Sequence, residues 1–175
     1  MDPAEHERAE RFSSIFGESY GRVHAYAARR VGTDSADDIA AETMLIAWRR
    51  RDVLPADPLP WLYGIARNVV ARHHEAAARG QRVVRSLALQ RADAGTEPGE
   101  DAAVAAAWAT LGARDRELLA LIAWEELPVR DAARVLGCSA AVCSVRLHRA
   151  RRRFERELAR SVPAPRAVPD LTEAS

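Results

Sequence analysis

Near the N-terminus apolar residues recur at helical spacing. Phe12, Ile15, Phe16, Tyr20, Val23 and Ala27 fall on one face of an amphipathic helix. Gly32-Thr33-Asp34 ends that helix and opens the next, with Thr33 or Asp34 expected as its N-cap. The second helix, over about Ser35 to Arg50, is apolar around most of its circumference. Ile39 and Ile46 lie on one side, and Met44, Leu45 and Trp48 on the other. Asp38, Glu42 and Arg49 fill the narrow stripe that remains, so the pattern predicts a largely buried helix with one charged strip. Three prolines between Asp52 and Pro60 exclude regular helix there, since proline lacks the amide donor and clashes with the preceding turn. A third helix is predicted from Trp61 to about Ala78, with Leu62, Ile65, Ala66 and Val69 inward. Nothing in residues 1–80 alternates with strand period.

Residues 80–100 lose this periodicity and gather Gly, Pro, Thr and acids, which reads as a flexible linker. Val104, Trp108 and Leu111 reopen helical spacing at i, i+4 and i+7, and Leu118, Leu119, Leu121 and Ile122 predict a buried helix. A short helix is expected from Pro128 to Leu136-Gly137. The last starts at Ser139, a good N-cap, with Cys143, Leu147, Ala150, Phe154 and Leu158 on its inner face. The prediction is an all-α chain of two small helical domains, residues 1–79 and 101–160. A linker over 80–100 joins them, and a disordered tail spans 161–175.

Composition narrows the classes. Alanine supplies about a fifth of the 175 residues and aromatics 6%, which favours helix. No run approaches the ~20 apolar residues of a membrane span, and the acidic start Met1-Asp2-Pro3-Ala4-Glu5 is no secretory signal. Two cysteines, Cys138 and Cys143, are too few for a disulfide scaffold, so a reducing cytoplasm is expected. They are read as core residues, and the adjacent His73 and His74 point in different directions on a helix, so no metal site is expected. Neither a phosphate-binding Gly-rich loop nor a catalytic Ser/His/Asp set or carboxylate pair is present, and no catalysis or cofactor is expected.

The net charge of +1 conceals local blocks. Asp34 to Glu42 holds four acids and no base, while Ser139 to Arg153 holds five arginines and no acid. Such blocks suit two kinds of partner surface. The basic block coincides with the strongest local pattern, Pro128 to Arg153: a short helix, a tight turn at Gly137-Cys138 and a longer helix. That is helix-turn-helix grammar. In that motif the second helix enters the major groove. Opposite the Cys143/Leu147 stripe lie Ala141, Val145, His148, Arg149 and Arg152, and arginine either reads guanine or grips phosphate. A solvated basic helix end, stabilised by its own dipole, is the plainer reading.

Leu136-Gly137-Cys138-Ser139 followed by Val145-Arg146-Leu147-His148-Arg149-Ala150-Arg151 resembles the second-domain helix-turn-helix of bacterial sigma factors of the extracytoplasmic-function, sigma-70-like subfamily. Asp37-Asp38-Ile39-Ala40-Ala41-Glu42 through Ala47-Trp48 resembles that family's core-polymerase-binding helix. Trp61-Leu62-Tyr63-Gly64-Ile65-Ala66-Arg67-Asn68 resembles its promoter-melting and minus-ten-reading helix. The resemblance covers about residues 12–79 and 101–158, with the three motifs in order. It implies a factor that binds core RNA polymerase and directs it to promoters, a monomer when free, with an anti-sigma protein as a further class of partner.

The resemblance also implies residue roles. Asp38, Ala41, Glu42 and Leu45 would meet the clamp helices of the large polymerase subunit. Asn68, Arg67, Trp61, Arg51 and Arg72 would serve the minus-ten DNA, with Trp61 read as a core anchor ahead of a stacking partner. The loop Asp52 to Pro60 would capture a flipped base, and Arg49, Arg50 and Arg79 add phosphate contacts. Ser144, Val145, Arg146, His148, Arg149 and Arg152 would read the minus-thirty-five element. Ala141-Val142 and Ser144-Val145 depart from the family's usual Gly-Thr and basic-Ser pairs, and Val145 suits a thymine methyl instead. Gly64 replaces a common arginine. Two rival readings are a stand-alone helix-turn-helix regulator and an interaction module that inhibits such a factor. The first leaves the acidic helix and the Trp61–Asn68 motif unused, and the second leaves the basic helix unexplained.

Overall fold

A computed structural model describes residues 3–84 and 100–161 of the chain. Three helices make the first body: α1 (Pro3–Val31), α2 (Thr33–Arg49) and α3 (Leu59–Val84), with a single 3-10 turn at Arg51–Val53 before the prolines. Four make the second: α4 (Glu100–Thr110), α5 (Ala113–Ala123), α6 (Val129–Leu136) and α7 (Ala140–Ser161). The described residues are helices and short connections, as the alanine-rich, strand-poor sequence leads one to expect. The centre of the expected linker and the expected tail fall on residues 85–99 and 162–175, outside the described residues.

The first core is built from Val23, Tyr26 and Ala27 of α1, Ala36, Ile39, Ala40 and Met44 of α2, and Leu62, Ile65, Ala66 and Val69 of α3. Alanines at the α1–α2 contact let the two helix axes approach closely, because interaxial distance follows side-chain size. The second core gathers Leu111, Leu118, Leu121, Leu127, Val135, Cys143, Leu147 and Ala150. Trp108 closes one side of it, 5.0 Å from the Trp124 ring and 6.1 Å from the Phe154 ring.

Several sequence expectations need correction. Neither Thr33 nor Asp34 caps α2. Gly32 stands at the cap with φ 82°, and no side-chain cap hydrogen bond forms. The left-handed backbone there reverses the chain within one residue, a conformation open to glycine. The apolar circumference of α2 is not wholly buried, since Leu45 and Trp48 reach solvent beside Asp38 and Glu42. In α4 it is Ala103 and Ala107 that are buried, and Val104 is exposed. Phe154 and Leu158 are half-buried rather than inside. Helix α3 starts two residues earlier than expected and runs past Ala78 to Val84.

The two bodies pack on each other, which no local pattern foretold. Helix α6 lies against α3. The Tyr26 hydroxyl donates to Glu117 Oε1 at 2.9 Å, across 91 residues of sequence. Arg30 donates through Nε to Glu117 Oε2 at 3.0 Å and through Nη1 to Glu125 Oε1 at 3.1 Å. Arg29 donates to the other oxygen of Glu125. The Glu125 side chain is 1% exposed, so its charge is held almost entirely by these two guanidinium groups. A buried carboxylate left unpaired would be costly, and here both its oxygens are engaged.

Candidate nucleic-acid interface

The turn between α6 and α7 is fixed by backbone chemistry. Gly137 takes the left-handed conformation (φ 67°, ψ 37°). Its amide donates to Arg134 O at 3.2 Å and that of Cys138 to Ala133 O at 3.0 Å, the paired bonds of a Schellman motif. The Ser139 Oγ then accepts from the Val142 amide at 3.3 Å and caps α7. With the turn set, Cys143, Leu147 and Ala150 bury one stripe of α7, and the opposite stripe is free. On it Ala141, Ser144, Val145, His148, Arg149 and Arg152 are all exposed. Arg146 is not among them. It is half-buried and lines a cleft between the two bodies.

Beside this turn the two cysteine side chains meet. Burial pushes the Cys143 thiol up, with the neighbouring Cys138 adding to the effect. No group of three or more metal-ligating residues occurs among the described residues.

A second feature is a cavity of about 620 Å³ at the start of α3. Arg50, Pro55, Pro60, Trp61, Asn68 and Arg134 line it. The prolines hold the chain off the helix and leave the space open. Asn68 is exposed and Trp61 half-buried, so one wall offers amide donors and acceptors and another an aromatic face. Such a site suits an unstacked base with a cation for its phosphate.

The other minus-ten candidates do not meet there. Arg67, one residue before Asn68, turns about 100° around the helix and faces the interdomain cleft. Arg51 lies over the Trp48 ring, 4.4 Å from its centroid. Arg72 donates to Glu42 Oε1 at 2.7 Å. Arg134 was missed by sequence reasoning because it comes from the other body, and no local signal points to it.

The third feature is the outer strip of α2. Asp38, Ala41, Glu42 and Leu45 are all exposed along one line, with Leu45 48% accessible. Leu45 is an exposed apolar residue on this strip, following the carboxylates of Asp38 and Glu42. Trp48 borders it and packs edge-on against Phe12 at 5.2 Å.

The interdomain cleft, about 800 Å³, is lined by Arg29, Arg30, Arg67, Arg114, Arg116 and Arg146, with Glu117 as its carboxylate. Burial by itself would lower the pKa of Arg30, but its neighbours Tyr26, Glu117 and Glu125 outweigh that and raise it. The Tyr26 phenol is pushed well above its ordinary value by burial and by the Glu117 carboxylate. It therefore stays a hydrogen-bond donor at neutral pH.

Comparison with known proteins gives a consistent picture. Residues 15–80 match the family model of sigma-70 region 2, and residues 101–154 that of sigma-70 region 4. No curated protein matches the chain by sequence. Among solved structures it is similar to the sigma factor RpoE from Bartonella quintana, crystallised with the anti-sigma factor NepR. The identity is 24%, over 86% of this chain and 98% of that one, with a TM-score of 0.61. It is likewise similar in fold to CnrH, solved in complex with the cytosolic domain of CnrY, at 24% identity over 86% and 89% of the two chains, TM-score 0.59. Among the described residues no helix is long and apolar enough to cross a membrane.

Proposed function

This chain belongs to the sigma-70 family, and from that membership we infer how its parts divide the work of transcription initiation. It is a sigma factor, whose partners are core RNA polymerase and promoter DNA. The domain boundaries of the sequence reading, 1–79 for region 2 and 101–160 for region 4, assign the first body to polymerase binding and the minus-ten element. They assign the second to the minus-thirty-five duplex. Two such regions joined directly suit the extracytoplasmic-function type. The factor acts by binding rather than by turnover, and the cytoplasm, where polymerase works, is its place.

The residue assignments are part of this reading. The α2 strip of Asp38, Ala41, Glu42 and Leu45 docks on the polymerase clamp: carboxylates give orientation and the exposed leucine gives buried area. The Asn68 cavity takes a base flipped from the non-template strand, with Trp61 as a wall and Arg50 as a phosphate partner. Arg149 and Arg152 on the open stripe of α7 grip the duplex, and Val145 meets a thymine methyl. Arg51, Arg67 and Arg72 serve the surroundings of the minus-ten site rather than its cavity. An anti-sigma protein is a fitting restraint, since a relative in fold was crystallised with one.

The observation that carries the reading is the order of the two regions on one chain. The test is co-elution of the purified protein with bacterial core RNA polymerase, followed by run-off transcription from a genomic fragment pool. Stable association with discrete new start sites supports it. Direct binding of duplex DNA by the free protein, with no association to polymerase, would replace it by a stand-alone helix-turn-helix regulator.

A further inference from the structure

The charges that line the interdomain cleft do not balance. Of its six arginines, Arg29 and Arg30 are held by Glu125 and Glu117. The other four, Arg67, Arg114, Arg116 and Arg146, form no hydrogen bond or ion pair with any described residue. Glu117 is the one carboxylate among the described residues on the walls, and Tyr26 and Arg30 already occupy it. Arg67, Arg116 and Arg146 are half-buried. A guanidinium that loses water and meets no anion is costly, and here three such groups from α3, α5 and α7 open onto one space.

The start of α5 adds charge of the same sign. Ala113 and Arg114 line the cleft, and Gly112 at the cap offers no side-chain hydrogen bond. The first amides of a helix have no acceptor within it and carry the positive end of its dipole. Two aromatic rings share these walls. Trp108 and Trp124 lie with ring centroids 5.0 Å apart, and Trp124 is 52% exposed. An indole left open in this way is a stacking face. The volume, about 800 Å³, is that of a small-molecule site.

We propose that this cleft binds a nucleoside triphosphate, its phosphates among Arg67, Arg114, Arg116 and Arg146 and its base against Trp124. A triphosphate brings roughly four negative charges at neutral pH, one for each unpaired guanidinium. Arginine suits the task because its planar fork meets phosphate oxygens two at a time. Inorganic phosphate would leave the indole unused, and a neutral aromatic molecule would leave the cations unmatched. The site is separate from the Asn68 cavity and from the exposed stripe of α7, from which Arg146 is turned away. Binding there requires neither polymerase nor promoter.

Calorimetric titration of the full-length protein with ATP tests this, at ~0.15 M salt so that loose surface attraction is screened. Saturable binding of one ATP per chain is expected, with quenching of tryptophan fluorescence. Arg114→Ala with Arg116→Ala should weaken it about tenfold or more, through loss of charge-assisted hydrogen bonds. Trp124→Ala should weaken it about fivefold or more, through loss of stacking. Arg114 and Trp124 are exposed, so Arg114→Ala and Trp124→Ala as single variants keep the test sound if the double variant does not fold. Failure to saturate at millimolar ATP would overturn the proposal. Unchanged affinity in all the variants would do the same, by placing ATP elsewhere. Equal binding of inorganic tripolyphosphate, with no effect of Trp124→Ala, would reduce the site to a plain anion site. Tighter binding of a hexaglutamate peptide than of ATP, with the same arginine dependence, would replace the nucleotide by an acidic protein segment.

Discussion

Arg72 on α3 donates to Glu42 on α2 at 2.7 Å, so a residue assigned to DNA and one assigned to polymerase hold each other. Both side chains are about half exposed, and an exposed pair of this kind contributes ~0–1 kcal/mol. Its interest is position: it fixes the acidic strip of α2 against the helix that carries Asn68. On the proposed assignments, the polymerase-docking strip and the minus-ten helix are neighbours linked by this pair.

Asp38→Arg with Glu42→Arg is expected to abolish association with core polymerase while leaving the circular dichroism spectrum and melting midpoint nearly unchanged. Both sites are exposed, so the changes themselves cost little, and loss of the exposed Glu42–Arg72 pair adds at most ~1 kcal/mol. Undiminished holoenzyme formation on a gel-filtration column would remove this strip as the docking surface. Arg72→Ala serves as the companion, and should leave polymerase binding largely intact.

The α7 arginines separate by face. Arg149→Ala should weaken binding to a cognate promoter by about 1–3 kcal/mol if it reads a base, with relaxed preference at that position. A shallower salt slope with unaltered preference would instead assign it to phosphate. Arg146→Ala should cost duplex binding less, because Arg146 is half-buried toward the interdomain cleft. Equal losses for the two variants would place Arg146 on the DNA after all.

Gly137→Ala is expected to destabilise the second domain by about 1–2 kcal/mol, read as a lower urea midpoint. A Cβ at this position meets nothing within 4 Å, so the cost is conformational, from a left-handed φ of 67°. Loss of the Schellman bonds should also blur the angle between α6 and α7 and weaken duplex binding. No change in midpoint would mean the turn tolerates a right-handed alternative.

Alkaline titration offers a different check. Burial raises the phenols of Tyr26 and Tyr63, and the carboxylates of Glu117 and Glu125 respectively add to it. With folded values above those of the unfolded chain, the stabilising contribution is complete below about pH 10 and is lost as pH rises from there toward the folded values. The urea midpoint should therefore fall above pH 10, and phenolate absorbance from these two residues should lag behind that of a free tyrosine. Tyr26→Phe should flatten the decline; a slope identical to wild type would show that Tyr26 does not contribute to it.

Much of the molecule was legible because its determinants are local. Helical periodicity placed Leu62, Ile65, Ala66 and Val69 inward, and they are buried. Ser139 and Gly137 act through hydrogen bonds only three to five residues long, so the helix-turn-helix could be read directly. The exposed stripe of α7 follows from the same arithmetic. Where a local choice was close, the reading slipped: Gly32 displaced Thr33 and Asp34 as cap, and Ala103 and Ala107 took the inward positions from Val104.

What the chain's order of residues determined by itself was the set of helices, the buried stripe of most of them and the two clusters of opposite charge. Which charges face one another was decided only by the tertiary structure. Tyr26 and Glu117 are 91 residues apart, and Arg29 and Glu125 are 96. Asn68 and Arg67 are neighbours in sequence yet open onto different cavities, and Arg134 reaches Asn68's from the other domain. Hydrophobic periodicity specifies which side of a helix turns inward. It carries no information on which distant helix will meet the polar side, because that depends on how the bodies pack and which buried charges must find partners.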